Sequence, residues 1–150
     1  MLFILLATLA FQSKVIAQDD PILFANKTSC EIYVEPYCGD CPAGPFNQGP
    51  ATLTVPPYNS ILLDGECTGD FAYLKFSIDG ASVSWYVAFP NNPGACGQDG
   101  DCIGVPSPDT VSDGFIEEEE STCLSGDARY SAMYHPNSQG YTCQIVVTEE

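Results

Sequence analysis

Residues 71–89 read FAYLKFSIDGASVSWYVAF and carry the clearest fold signal in the chain. Apolar and polar side chains alternate on both sides of the Asp79-Gly80 pair, as in β-strands with one buried face. The face predicted to be buried holds Ala72, Leu74, Phe76 and Ile78 before the pair, opposite Lys75, and Val83, Trp85, Val87 and Phe89 after it. Asp-Gly favours a type I′ turn, in which both central residues have positive φ, so residues 71–89 predict an antiparallel hairpin.

The same period of two recurs along most of the chain. It is found in five further segments, residues 22–38, 51–55, 61–63, 128–134 and 141–148. The turn-forming sequence PPYNS at 56–60 separates two of these segments. No segment combines a helical period of 3.6 residues with capping signals. Seven or eight short strands with regular turns predict an all-β fold, a single antiparallel β-sandwich.

The composition excludes several functional classes. The chain has 150 residues, 20 Asp and Glu against 4 Lys and Arg, and a formal net charge of -16. This length fits one domain, and this acidity argues against nucleic-acid binding because phosphates would be repelled. A single histidine does not supply a multi-histidine metal centre. A hydrophobic fraction of 45% is too high for a disordered acidic chain.

An apolar run follows Met1. Residues 2–11 read LFILLATLAF, which as a helix is too short for a bilayer core of about 30 Å. The run has the length of a signal-peptide core, and Ala17 supplies the small residue needed for cleavage, although no basic residue precedes the run. We therefore expect a signal peptide over 1–17 and a secreted domain over 18–150, extracellular or periplasmic. No second apolar run follows, so no membrane span is expected in the mature chain.

Eight cysteines lie in the expected mature chain: Cys30, Cys38, Cys41, Cys67, Cys96, Cys102, Cys123 and Cys143. An even number behind a secretion signal predicts disulfides rather than metal ligands or reactive thiols. The short, flexible segment between Cys96 and Cys102 favours a bridge between these two. A bridge between Cys30 and Cys143 would join the terminal strands. The pairing of the other cysteines stays open.

Features that would indicate an enzyme have simpler explanations. Cys38-Gly39-Asp40-Cys41 is a CxxC motif, but the prolines that follow disfavour the helix that activates such thiols, so a structural role is expected. His135 stands before a proline in a predicted turn, and no G-x-S-x-G motif accompanies it. The abundance of carboxylates leaves no pair that stands out as a general acid and base. The sequence therefore favours a protein without catalytic residues.

Residues 91–123 interrupt the alternation and predict one long acidic loop, which includes the run Glu117 to Glu120. Calcium takes oxygen ligands in tight loops, and Asp99 and Asp101 are the candidate ligands between Cys96 and Cys102. A second acidic group surrounds Cys67: Asp64, Glu66 and Asp70. Neither group has the EF-hand spacing, and a solvated acidic surface is the favoured explanation of both.

Aromatic residues and one sequon complete the candidate sites. Trp85 shares its face with apolar residues and is expected in the core, whereas Tyr33, Tyr73 and Tyr86 occupy opposite-face positions suited to a carbohydrate-stacking surface. Asn26-Lys27-Thr28 fits the N-glycosylation sequon, which matters in a eukaryotic secretory pathway.

Two stretches resemble small secreted bacterial cysteine-containing β-sandwich proteins of unknown function: residues 22–30, ILFANKTSC, and residues 53–60, LTVPPYNS. The resemblance implies export and a β-sandwich, and it carries over no catalytic residue. The first stretch is also similar to the opening of thaumatin-type sandwiches, whose acidic-cleft motif and larger cysteine set are not found in this sequence.

These features favour an exported, non-enzymatic binding or structural protein whose partner is a protein or a glycan, and no cofactor is expected. The alternative is a secreted hydrolase or carbohydrate-binding module that uses surface carboxylates, with calcium as its candidate cation.

Overall fold

The computed structural model describes residues 21–39, 47–49, 51–67, 71–88, 113–134 and 143–150. These residues form ten strands and one short 3-10 helix. The strands are β1 (Ile22–Lys27), β2 (Ile32–Cys38), β3 (Asn47–Gln48), β4 (Leu53–Val55), β5 (Ser60–Leu63), β6 (Phe71–Ile78), β7 (Trp85–Ala88), β8 (Asp113–Ile116), β9 (Ala128–Tyr134) and β10 (Cys143–Glu149). The 3-10 helix spans Glu118–Glu120. The all-β expectation is confirmed, whereas the expected signal peptide over 1–17 lies outside the described residues.

The first sheet has the strand order β5-β1-β10-β9-β8. Its β9–β10 pair is antiparallel, as expected from the last two alternating segments. β1 and β10 are parallel, with Ile22 in register with Cys143 and Lys27 with Thr148. The prediction of an entirely antiparallel fold was therefore wrong. Hydrophobic alternation shows which side of a strand is buried, but it carries no information on the direction of the neighbouring strand.

The second sheet is built around β2. Strand β6 pairs with one edge of β2 and continues to β7, while β3 and β4 pair with the other edge. All of these pairs are antiparallel, and the register shifts between Tyr37 and Cys38. β4 lies within the alternating segment predicted at 51–55, whereas β3 has only two residues, which is too short for alternation to reveal it as a strand.

The two sheets share one hydrophobic core. Phe76 of the second sheet makes edge contacts with two rings of the first, at centroid distances of 5.6 Å to Phe24 and 5.2 Å to Tyr130. Leu74, Phe76 and Ile78 are at most 1% exposed, so the predicted inner face of β6 is confirmed. Trp85 stacks on Phe76 at 5.6 Å and packs against this core, also as expected.

The turn after β6 differs from the prediction. Gly80 has a φ of 74°, but Asp79 has no positive φ, so the turn is not type I′. The Ala81 amide donates to the Ile78 carbonyl over 2.9 Å, and positive φ at the third turn position is the pattern of type II. Contacts with other segments hold the Asp79 backbone, because its amide donates to Glu31 and its carbonyl accepts from Ser121.

The connection from Asp79 to β7 is also longer than a two-residue hairpin loop. β7 begins only at Trp85, so Val83 precedes the strand and is 39% exposed, contrary to its predicted inward position. A two-residue type I′ hairpin requires positive φ at both central residues, and Asp79 does not adopt it. The backbone contacts of Asp79 with Glu31 and Ser121 come from distant segments, which the sequence of the turn does not reveal.

The predicted turn at 56–60 is confirmed, and it carries the chain from the second sheet to the first. The Asn59 amide donates to the Pro56 carbonyl over 3.2 Å, and Tyr58 has a φ of 56°. Proline at the second position favours this turn, whereas a tyrosine with positive φ is unusual.

Part of the predicted acidic loop is ordered secondary structure. β8 and the 3-10 helix both fall within residues 91–123, and β8 is one of the strands that bring the described number to ten, above the seven or eight expected. The sequence did not predict β8. Of its residues with described side chains only Ile116 is buried, so the strand shows no alternation of buried and exposed residues. The acidic run forms a capped turn, in which the Glu117 amide donates to the Glu120 carboxylate over 3.1 Å.

Two disulfides are defined within the described residues, Cys30–Cys123 and Cys38–Cys67. Cys143 is also disulfide-bonded. The predicted bridge between Cys30 and Cys143 was therefore wrong. Since β1 and β10 run parallel, Cys143 lies at the beginning of the pair and Cys30 lies beyond its end.

Candidate functional site

The outer face of the second sheet gathers aromatic and charged side chains. Buried Ile32 and Val34 point into the core, so the alternate residues of β2 point outward. The register places Glu35 beside Lys75 and Lys75 beside Tyr86, and it places Tyr37 beside Tyr73. We call this group the tyrosine face, and its members are Tyr33, Glu35, Tyr37, Tyr73, Lys75 and Tyr86.

Tyr73 is the centre of the aromatic contacts on this face. Its ring stacks on Tyr37 with a centroid distance of 4.4 Å and an interplanar angle of 11°. The Tyr86 ring lies on it at 6.1 Å with a tilt of 55°. Tyr73 is only 6% exposed, whereas Tyr37 and Tyr86 are half-buried. Tyr73 therefore supports the two flanking rings, and those rings are the ones that reach solvent.

A carboxylate links the polar part of the tyrosine face. Lys75 Nζ lies 3.1 Å from Glu35 Oε1 and 3.2 Å from Oε2. The Gln48 amide donates to the same carboxylate over 3.3 Å, and the Tyr37 hydroxyl lies 3.5 Å from it. The Lys75 and Glu35 side chains keep 27% and 20% of their surface exposed. The pair is thus held in one geometry and still reaches solvent at the centre of the face.

The local environment keeps these groups in a single protonation state at neutral pH. Burial raises the pKa of Tyr73 to about 12, and the neighbouring Tyr37, Tyr86 and Glu35 add to this rise. Burial also raises the pKa of Tyr37, together with the Glu35 charge. Burial lowers the pKa of Lys75, but its hydrogen bond to Glu35 and the charge of that carboxylate outweigh burial and leave the pKa raised. At neutral pH the Tyr37 and Tyr73 side chains are therefore uncharged phenols, and Lys75 is a cation.

Sequence reasoning found only part of the tyrosine face. Tyr33 and Tyr86 lie on it as expected. Tyr73 also lies on it but is buried, contrary to the prediction of a surface residue, because neighbouring rings cover it. Tyr37 was not among the candidates, although the alternation Tyr33-Glu35-Tyr37 along β2 would have indicated it.

The predicted calcium ligands, Asp99 and Asp101, fall in a part of the chain that the structure does not describe. Cys41, Cys96, Cys102 and His135 lie outside the described residues as well. In the ranges that the structure describes, no group of three or more His, Cys, Asp or Glu side chains could hold a metal ion. The CxxC motif is not an internal disulfide, because Cys38 is bonded to Cys67.

A second carboxylate is bound by serines near the Cys30–Cys123 disulfide. Glu149 accepts hydrogen bonds from the amide and hydroxyl of Ser125, at 2.8 and 2.7 Å. It also accepts both donors of Ser29, each at 2.9 Å. The Ser125 bonds, followed by those of Ser29, lower the pKa of Glu149 to about 2. This carboxylate ties the end of β10 to two loops.

Asn26 of the sequon is completely buried. Its side-chain amide donates to the carbonyls of Cys30, Val55 and Pro56 over 2.7, 3.0 and 3.0 Å. Its side-chain oxygen accepts from the amide and hydroxyl of Thr28 over 2.9 and 2.8 Å. With 0% exposure and all of these contacts made, the folded protein has no space for a glycan on Asn26.

The chain matches no protein-family model, no curated protein and no solved structure. Within the described ranges, no helix has the length and hydropathy required to cross a membrane.

Proposed function

We propose that this chain is an exported, disulfide-linked β-sandwich that binds a ligand without transforming it. In this proposal residues 1–17 are a signal peptide, and the two sheets pack face to face around the shared core. The disulfides support export, since such bonds persist in oxidising compartments outside the cytosol. The same features agree with the resemblance to small secreted bacterial sandwich proteins.

The tyrosine face is the observation that carries the binding proposal. It presents two half-buried rings next to a fixed Glu35–Lys75 pair: Tyr37 follows Glu35 along β2, and Tyr86 lies beside Lys75 in the strand register. Rings supply apolar contact at low entropic cost, and the charged pair supplies donors and acceptors in a fixed geometry. Such a combination suits recognition more than chemistry, because the neutral phenols and the paired lysine are poor nucleophiles at neutral pH.

A neutral glycan is the ligand class that fits this face best. Sugar rings have apolar C–H surfaces that pack on aromatic rings, and hydroxyls that both donate and accept hydrogen bonds. Glu35 accepts, while Lys75 and Gln48 donate. Polyanionic glycans would be repelled by a chain with a net charge of -16.

Calorimetric titration with three neutral oligosaccharides, cellohexaose, xylohexaose and chitohexaose, tests the proposal. We expect at least one to bind, and Tyr86→Ala to weaken that binding by about tenfold or more, as for loss of an aromatic contact residue. Tyr58→Ala is the matched control, because Tyr58 is 66% exposed and lies in the turn between β4 and β5, outside the tyrosine face.

Three outcomes would contradict this function. The first is the absence of binding to all three oligosaccharides at millimolar concentration. The second is an equal effect of both tyrosine variants. The third is the release of shorter oligosaccharides during prolonged incubation, which would favour the alternative of a secreted hydrolase that uses carboxylates.

A further inference from the structure

The outer face of the first sheet carries a group of apolar side chains, with polar residues between them, that the tyrosine face does not use. The register aligns Leu62, Leu23, Gln144 and Met133 in one row across four strands. Phe115 lies opposite Arg129 at the other end of the same face. Leu62, Phe115 and Met133 remain 49%, 46% and 45% exposed. We call this surface the apolar face, and its members are Leu23, Leu62, Phe115, Met133 and Val146.

The charge of the apolar face is balanced, unlike that of the chain as a whole. Two of the four basic residues, Lys27 and Arg129, have their register positions here. The Arg129 guanidinium lies over the Phe115 ring at 5.6 Å, and its Nε lies 3.3 Å from a Glu150 carboxylate oxygen. Asp113 takes the register position opposite Ser131. Among the residues that the structure describes, the register and contacts thus give this face two basic residues, Lys27 and Arg129, and two acidic residues, Asp113 and Glu150. The chain as a whole has a net charge of -16.

We propose that the apolar face is the contact between two copies of this chain, which stack first sheet against first sheet. Repulsion between two strongly acidic molecules is smallest where each has balanced charge, and burial of apolar side chains supplies the attraction. An exposed apolar surface rimmed by polar residues is typical of interaction sites.

The size of the face indicates a weak, reversible dimer. Five strands spaced about 4.8 Å apart and about 20 Å long cover about 500 Å² for each copy. Two copies would bury about 1,000 Å² in total, which is at the lower limit for a specific interface. Because the net charges of the two copies repel each other, added salt should strengthen the dimer by screening this repulsion. An acidic partner held by Lys27 and Arg129 would show the opposite salt dependence.

Sedimentation velocity over a series of protein concentrations tests this proposal. We expect a dimer fraction that rises with concentration and that is larger at about 0.5 M NaCl than at about 0.05 M NaCl. Leu62→Glu should weaken dimerisation at least about tenfold, since it places a charge within the buried contact. Val83→Glu is the matched control, because it adds the same charge at an exposed apolar position outside the face.

Leu62→Ser provides a second variant that weakens the contact without changing the charge, and thermal melting of every variant verifies folding. A monomer at all concentrations and salt levels would overturn the proposal. Equal effects of Leu62→Glu and Val83→Glu, or a dimer that salt weakens, would overturn it as well. Tyr86→Ala should leave the dimer unchanged, so this result is independent of glycan binding.

Discussion

Replacing Asn26 with alanine tests the buried hydrogen-bond network at the end of β1. The substitution removes the five contacts of the Asn26 side chain with Thr28, Cys30, Val55 and Pro56. The two amide hydrogens are shared among three carbonyls, so the contacts correspond to about four full hydrogen bonds. At a net contribution of about 1 kcal/mol each, the free energy of unfolding should fall by about 4 kcal/mol. Since small domains have a total of about 5–15 kcal/mol, this loss is large.

Urea denaturation followed by Trp85 fluorescence measures the effect, with the slope of the transition as a check on two-state unfolding. Asn59→Ala is the matched control. The Asn59 side chain is exposed, and its side-chain amide donates a single 3.2 Å hydrogen bond, to the Pro57 carbonyl. It should change stability by less than about 0.5 kcal/mol. Thr28→Val should be destabilising as well, and Thr28→Ser should retain most of the stability because the hydroxyl remains.

A loss below about 1.5 kcal/mol for Asn26→Ala would refute the reasoning, since it would mean that water or other donors replace the side chain. An equal loss for Asn59→Ala would refute it too, because burial would then have no part in the effect.

Three further predictions concern crosslinking, pH and packing. The double variant Cys30→Ala/Cys123→Ala should lose about 4–5 kcal/mol in urea unfolding, because the bridge closes a loop with a sequence separation of 93; a loss below about 2 kcal/mol would contradict this. Glu149 has a lowered pKa, so the stability that its carboxylate adds to the folded protein is fully present above its ordinary pKa of 4.5 and is lost as pH falls through about 2. In acid unfolding, Glu149→Gln should therefore be less stable than wild type at neutral pH and equally stable below about pH 2. A difference in stability that stays constant with pH would argue against the serine contacts. Gly114→Ala should cost about 1–3 kcal/mol in thermal unfolding, because the added methyl would meet the Tyr130 ring, and an unchanged melting temperature would contradict this contact.

The elements that sequence predicts best are those with long alternation. Residues 71–78 alternate over their whole length and form an eight-residue strand in which Leu74, Phe76 and Ile78 are buried as expected. The segment predicted at 141–148 contains most of the seven-residue strand β10. The predicted antiparallel direction of β10 relative to β1 was wrong, because strand pairing is decided by contacts between distant segments that local patterns do not encode. The predicted type of the Asp79-Gly80 turn was wrong for the same reason, since Glu31 and Ser121, which are distant in sequence, hydrogen-bond to the Asp79 backbone.

The candidate site was predicted less completely than the fold. Alternation places Tyr33, Tyr73 and Tyr86 on an outer face, but it does not tell which ring is covered by others. The contact of Glu35 with Lys75 joins residues 40 positions apart, so only the strand register reveals it. The sequon was a correct match to a motif, yet burial of Asn26 gives it a structural role.

The parallel pairing of β1 with β10 has a consequence for the order in which the chain folds during synthesis. β1 is made early but occupies the interior of its sheet, and one of its edges receives its partner only when the last described strand leaves the ribosome. Pairing between segments so distant in sequence is slow, since the loop must close before the contacts form. The nascent chain therefore remains incompletely folded until nearly all of the described chain has been made, and an exported protein in this condition would need holdase chaperones on its route to the membrane.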